Sequence, residues 1–234
     1  MSRPRSVIAA VLFVLIAVLV GCAKTSPRAR GTAAVGWKSL FNGKDLDGWV
    51  QKGGKAKYKI ENGEIIGIAQ PSTPNTFLCT TRDFTNFILE VEFKVAEGLN
   101  SGVQIRSQDT ASQVEWKGKT YKAPAGRVHG VQVEIDTSKR AWSGGLYEEG
   151  RRGWLNNLTN NAAARAAFRH NDWNKFHIEA NGDHITTTIN GVPAADLHDP
   201  ISKSGFIGLQ VHGVGNRTND LQVRFRNIRI KELP

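Results

Sequence analysis

Cysteine is nearly absent, with two in 234 residues, Cys22 and Cys79. Cys22 falls in an N-terminal export signal described below. Cys79 is then left alone, which excludes an intramolecular disulfide. It lies in Phe77-Leu78-Cys79-Thr80 with no His or second Cys beside it, the setting of a small buried hydrophobe rather than a nucleophile. Methionine occurs once, against 24 glycines, and turn signals recur along the chain, which is an all-β profile. The formal charge is +10, yet Lys and Arg are scattered. There is no dense basic run and no nucleic-acid motif, which argues against a polynucleotide partner. Attraction to anionic surfaces or acidic glycans stays open. No tight ligand spacing such as His-x-x-x-His indicates a metal, no cofactor is implied, and there is no internal repeat.

One apolar run stands out, from Val7 to Val20, preceded by Arg3 and Arg5. It is too short and wrongly flanked for a membrane span and reads as a secretory signal. It ends in Leu19-Val20-Gly21-Cys22, similar to a bacterial lipobox, whose cysteine is acylated and becomes the new N-terminus. The alternative is an uncleaved anchor. Either way the domain is expected outside the cytoplasm, and in the lipobox reading buried acyl chains on Cys22 hold it at a membrane. Ala23, where an aspartate would retain the protein at the inner membrane, favours the outer membrane or its periplasmic face. The expected organisation is a lipoprotein signal over 1–22, a flexible tether over 23–36, and one domain over 37–234. At about 200 residues that domain supports a single sizeable core.

Within the domain, strand signals dominate. Asn42-Gly43 and Asp47-Gly48 are turn pairs. Tyr58 to Ile68 reads as a hairpin closed by a type I′ turn at Asn62-Gly63. Phe87 to Val95 alternates cleanly, and Val103-Gln104-Ile105-Arg106 alternates again. Gln108 to Arg127 is polar and irregular, a long loop able to rim a site. Asn160 to Phe168 is the one credible helix. Trp173–Ala180 and Ile185–Ile189 form a hairpin, and strands follow at Gly205–His212 and Leu221–Ile230. Ten or more strands without long helices fit an all-β sandwich of two antiparallel sheets with one short helix.

The stretch from His129 to Trp154 concentrates acid–base groups. Val131, Val133 and Ile135 alternate with Gln132, Glu134 and Asp136, so one face of a strand carries an amide and two acids. Gly144-Gly145 then turns the chain and presents Tyr147. Glu134 and Asp136, two apart on one strand, would have Cα atoms roughly 6.5–7 Å apart, close enough to split their pKa values into an acid and a base. Gln210 and His212 share a face on a later strand. Each feature has a plainer reading. A Gln/Glu/Asp face is also what a solvated sheet looks like. Arg106 can simply pair with Glu134, Trp49 and Trp173 can be packing residues, and Arg151-Arg152 reads as a solvated turn.

Eight segments in order resemble one known family: Leu40 to Trp49, Asn100 to Arg106, Gly130 to Asp136, Gly144 to Tyr147, Trp173-Asn174, Asn190-Gly191, Gly205 to Gly213, and Phe225-Arg226-Asn227-Ile228. Together they are similar to the 3-keto-disaccharide hydrolase domain, over nearly all of residues 37–232. The resemblance implies a concanavalin A-like jelly roll and cleavage of glycosidic bonds in sugars oxidised at C3. In many members the acid precedes the glutamine on the central strand; here Gln132 precedes Glu134. Laminarinase-type enzymes of the same fold carry Glu-x-Asp-x-x-Glu, and here Lys139 stands where the third acid would be, which disfavours an ordinary double displacement. A 3-keto sugar offers elimination at C1 after deprotonation at C2. The expected roles are Glu134 or His212 as base, Arg106 as enolate stabiliser, Tyr147 or Asp136 as acid, and Trp49 and Trp173 as sugar platforms beside Gln132 and Gln210. Carbohydrate is the expected partner, with a non-catalytic glycan-binding module and an ordinary glucanase as alternatives.

Overall fold

The structure, a computed structural model, describes Met1 and residues 36–234. The export signal, Cys22 and nearly all of the tether lie outside the described residues. The described residues form two large antiparallel sheets and one short helix, α1 (Ala162–Ala167). The eight-stranded sheet runs β15 (Val192–His198), β14 (His184–Ile189), β13 (Asn174–Asn181), β6 (Phe87–Val95), β17 (Gln222–Glu232), β4 (Glu64–Ile68), β3 (Lys57–Glu61), with β1 (Trp37–Ser39) also on β17. The seven-stranded sheet runs β12 (Gly153–Asn156), β11 (Leu146–Glu149), β10 (His129–Ile135), β7 (Ser101–Gln108), β16 (Phe206–Val211), β5 (Thr76–Thr80), β2 (Trp49–Gly53). Neighbours far apart in sequence, such as β6 beside β17 and β7 beside β16, make the crossovers of a jelly-roll sandwich.

Strand alternation builds the core. Phe87, Leu89, Val91, Phe93 and Val95 of β6 point inward, as do Val131, Val133 and Ile135 of β10. Each such side chain contributes about 1.5–3 kcal/mol on burial, and together they glue the sheets face to face. The Asn62-Gly63 turn has φ of 55° and 76°, as a type I′ hairpin requires. Asn161 caps α1 by accepting from Ala164 N at 3.0 Å, and its amide donates to Pro193 O and Ala194 O, docking the helix on β15.

Three expectations are corrected here. Residues 108–127 are not an irregular loop: they contain a two-stranded ribbon, β8 (Ser112–Trp116) and β9 (Lys119–Ala123), turned at Lys117-Gly118 with φ of 48° and 71°. Trp49 is buried in the core with its indole Nε1 donating to Leu40 O at 2.9 Å, so it is a packing residue. Arg151-Arg152 is not a solvated turn. Both guanidiniums are buried against Glu148, and Arg152 also pairs with Asp199 at 2.9 Å.

A β-bulge decides the fate of Arg106. Between the pairs Val131↔Ile105 and His129↔Gln108, β7 spends one residue more than β10. Arg106, at the bulge, has φ of 47°. The extra residue breaks alternation after Gln104. The Arg106 guanidinium is instead buried, donating to Thr85 O at 2.6 Å, Gly182 O at 2.7 Å and Asn86 Oδ1 at 3.2 Å. It ties loops at one end of the sandwich and is lost as a sugar-facing group.

Candidate functional site

The outward face of the seven-stranded sheet carries a polar cavity of about 410 Å³. Pairing register assembles it. On β10, Gln132 and Glu134 point outward, opposite the inward valines. Tyr147 pairs with Gln132 across the β10–β11 ladder, and Glu149 pairs with Gly130, so Tyr147 and Glu149 share that outward face. Trp154 on β12 pairs with Tyr147. Asn75, Asn100 and His212 come from strand ends, and Arg127 and Arg140 from loops. Gly102, directly opposite Glu134, makes room for the Gln132 side chain: a Cβ there would lie 2.5 Å from Gln132 Cγ.

A chain of amides with defined direction leads to Glu134. The Ser107 hydroxyl lies 2.8 Å from Gln104 Oε1 and 3.1 Å from Ile105 O, and the Gln104 amide nitrogen faces Gln132 and donates to its Oε1 at 2.6 Å. Gln210 donates to the same oxygen at 2.8 Å. Gln132 must then turn its nitrogen toward Glu134, donating to Oε2 at 2.8 Å, while Asn100 donates to Oε1 at 2.7 Å. Glu134 is 5% exposed. Burial pushes its carboxyl up to about 7, against the pull of these two amides, with the nearby Asp136 charge adding to the rise. Its closest cation is Arg140, at 3.8 Å, too far for a hydrogen bond.

Glu149 is the second acid of the cavity, and sequence reasoning missed it. It is 8% exposed and its carboxyl is raised, mainly by burial, with Arg127 3.8 Å away. The signal was the Tyr147-x-Glu149 spacing on a strand pairing with β10. Tyr147 lines the cavity, its hydroxyl held protonated by burial and by the charges of Glu149 and Glu134. The His212 Nδ1 lies 2.7 Å from Gly213 O. A carbonyl only accepts, so Nδ1 carries the proton and a neutral ring keeps a lone pair on Nε2.

Asp136 does not join Glu134 in the cavity. The strand ends at Ile135, and Asp136 caps the following turn, accepting from Ser138 N at 3.0 Å, Trp142 N at 3.2 Å and Arg140 Nε at 2.8 Å. Burial opposes its ionisation, but these hydrogen bonds prevail and hold its carboxyl below the ordinary range. Trp173 sits by the other sheet, with the Arg226 guanidinium 3.8 Å over its ring. Of the expected residues, the structure brings together Glu134, Gln132, Gln210, Tyr147 and His212, and leaves out Asp136, Arg106, Trp49 and Trp173. Among the described residues, no group of three or more His, Cys, Asp or Glu is arranged to hold a metal ion.

The sequence pattern of the family described as the 3-keto-alpha-glucoside-1,2-lyase-like domain matches residues 36–231. No curated protein matches the chain. Among solved structures, a candidate glycosyl hydrolase from Parabacteroides distasonis is 21% identical, with 85% of this chain and 95% of that one covered at a TM-score of 0.57. A carbohydrate-binding module from Bacillus subtilis is 17% identical (79% and 96% covered, TM-score 0.53). A β-glucanase from Bacillus licheniformis is 12% identical (85% and 97% covered, TM-score 0.52). At these identities the likeness is one of fold.

Proposed function

Because the chain belongs to the family of 3-keto-alpha-glucoside-1,2-lyase-like domains, we propose that it cleaves glycosidic bonds of sugars oxidised at C3. The observation that carries this reading is a buried carboxylate, Glu134, with a pKa of about 7 on the floor of a polar cavity. A general base works best when its pKa lies near the operating pH. A C3 ketone acidifies the C2 proton, which Glu134 removes. The freed electron pair forms the C1=C2 bond, and the C1–O bond breaks. The leaving oxygen takes its proton from Glu149, whose raised pKa suits an acid, or from the Tyr147 hydroxyl. Arg140 takes the enolate role first assigned to Arg106: its Nε is bound to Asp136, and Nη2 reaches the cavity 3.8 Å from Glu134. Water then adds at C1 and the proton returns to C2.

A binding-only reading has one observation in its favour, the three amides that line the cavity (Gln132, Asn75, Asn100), which also suit a glycan-binding surface. The domain over residues 31–234, incubated with 3-keto-trehalose, 3-keto-lactose and their parents, separates the two by mass spectrometry of released sugar. Release from the keto forms alone, lost in Glu134→Gln, is expected. Release from the parents makes it an ordinary glycosidase, and saturable binding without release makes it a binding module. For location, the Arg3/Arg5 segment and the Cys22 lipobox support an exported protein held by lipid at the outer membrane or periplasmic face.

A further inference from the structure

A second cleft, of about 610 Å³, adjoins the polar cavity and shares Asn75, Arg127 and Glu149 with it. Apart from those three, no side chain lining it carries a polar atom. Pro74 and the Pro124-Ala125-Gly126 turn form its exposed rim, and Phe77 and Val128 its buried side. The prolines offer no N–H. The turn is held in place, with Gly126 N donating to Asp109 O at 2.7 Å and Arg127 N to Pro124 O at 3.2 Å. Phe77 and Val128 are backed by Cys79 and Phe206 in a separate small apolar cluster. The cleft is therefore preformed and supported by packed side chains.

We infer that this cleft seats the leaving group, and that the leaving group it suits is a flat apolar aglycone such as a phenol, not a second sugar. The inference rests on the reading that the polar cavity cleaves a keto-glycoside. A sugar placed there would find side-chain partners only at Asn75, Arg127 and Glu149, where the cleft meets the polar cavity, and its remaining hydroxyls would face Pro, Ala, Phe and Val, whereas an aromatic ring buries its faces against those residues. Glu149 lies on the boundary of both spaces, which is where a scissile oxygen joining a polar sugar to an apolar aglycone would fall. In the elimination, the C2 proton goes to Glu134, its electron pair becomes the C1=C2 bond, and the phenolic oxygen departs with the Glu149 proton. The substrate arrives already oxidised at C3, so a separate sugar-oxidising reaction must supply it.

The test compares 4-nitrophenyl 3-keto-glucoside with 3-keto-trehalose, in the unaltered protein and in Ala125→Asp and Ala125→Leu, both at an exposed rim position. The aryl substrate is expected to be preferred about tenfold or more in kcat/KM. Ala125→Asp should raise the aryl KM roughly tenfold and by several-fold more than it raises the KM for 3-keto-trehalose, while Ala125→Leu should lower the aryl KM. Calorimetry with free 4-nitrophenol should show saturable binding that Ala125→Asp weakens. If 3-keto-trehalose is cleaved as well as the aryl substrate and neither variant separates them, the aglycone assignment is overturned while the keto-glycoside reading stands. If neither substrate is cleaved, that reading fails and the leaving-group assignment fails with it.

Discussion

Glu90 and Glu134 sit on facing sheets of one sandwich, each on the outward face of a long strand, each nearly buried at 9% and 5% exposed. Their acidities move in opposite directions. Burial raises both, but Glu90 receives Lys175 at 2.9 Å, Arg229 Nε at 2.6 Å and His177 at 3.4 Å, and is held below the ordinary range. Glu134 has two neutral amides and a distant arginine, and rises to about 7. The eight-stranded sheet neutralises its outward acids with partners, as Glu92–Arg226 and Glu64–Arg224 also show at 2.8 and 3.0 Å. The seven-stranded sheet keeps two acids in reserve beside a cavity. Strand parity is the same for both glutamates, but Glu134 lies deeper and its donors are neutral where those of Glu90 are charged, so depth of burial and the charge of the hydrogen-bond donors together separate a chemically poised acid from a structural one.

The sharpest way to break this contrast is to neutralise each acid in turn. Glu134→Gln should cut turnover of a 3-keto-glycoside by about 10³-fold, within the range of a lost general base, and Glu90→Gln should change it less than about twofold. Equal losses in an activity assay would dissolve the distinction. A third environment sharpens it. Glu148 faces inward opposite Val131 and is fully buried with Arg151 and Arg152. Glu148→Gln leaves buried guanidiniums short of charge and should cost about 3–5 kcal/mol in denaturant unfolding.

The pH dependence of stability tests Glu134 more gently. Its folded pKa of about 7 lies above the unfolded value near 4.5. The fold thus binds this proton more tightly than the unfolded chain does. Between those values stability falls as pH rises, by on the order of 2–3 kcal/mol for this group. Glu90, with its pKa depressed, acts in the opposite sense: its contribution is present above the unfolded pKa and is lost as pH falls through the folded one. A series of Tm values from pH 5 to 8 should decline for the parent and flatten in Glu134→Gln; an unchanged slope would mean that burial does not perturb this acid. The smallest effect is expected at Trp173, under Arg226. Trp173→Ala should leave KM for any glycoside within about twofold, whereas a large rise would return it to the sugar site.

Much of the core was legible because alternation is a local property. Phe87 to Val95 and Val131 to Ile135 declare their buried faces without reference to anything else, and Asn62-Gly63 and Asn190-Gly191 announce turns by the φ > 0 they tolerate. The site was half legible. Glu134, Gln132, Gln210 and His212 follow from parity, and Tyr147 from the turn at Gly144-Gly145. Asp136 was misplaced because alternation was carried one residue beyond the strand, where Ser138 and Trp142 offer backbone N–H groups and the carboxylate turns to them. Glu149 was missed because Glu148-Glu149 are adjacent identical residues on a four-residue strand, and only its pairing to β10 says which one faces out. Arg106 was lost to a bulge, which inserts one residue and reverses every prediction from parity beyond it.

By itself, the sequence determined the sandwich class, the short helix after Asn161 and the inward faces, since these rest on spacing along the chain and on the φ that Gly and Asn allow. Only the tertiary structure decided which acid is buried among amides and which among cations. Desolvation and Coulomb interaction act between strands far apart in sequence, and they reverse sign with partners that no local pattern names.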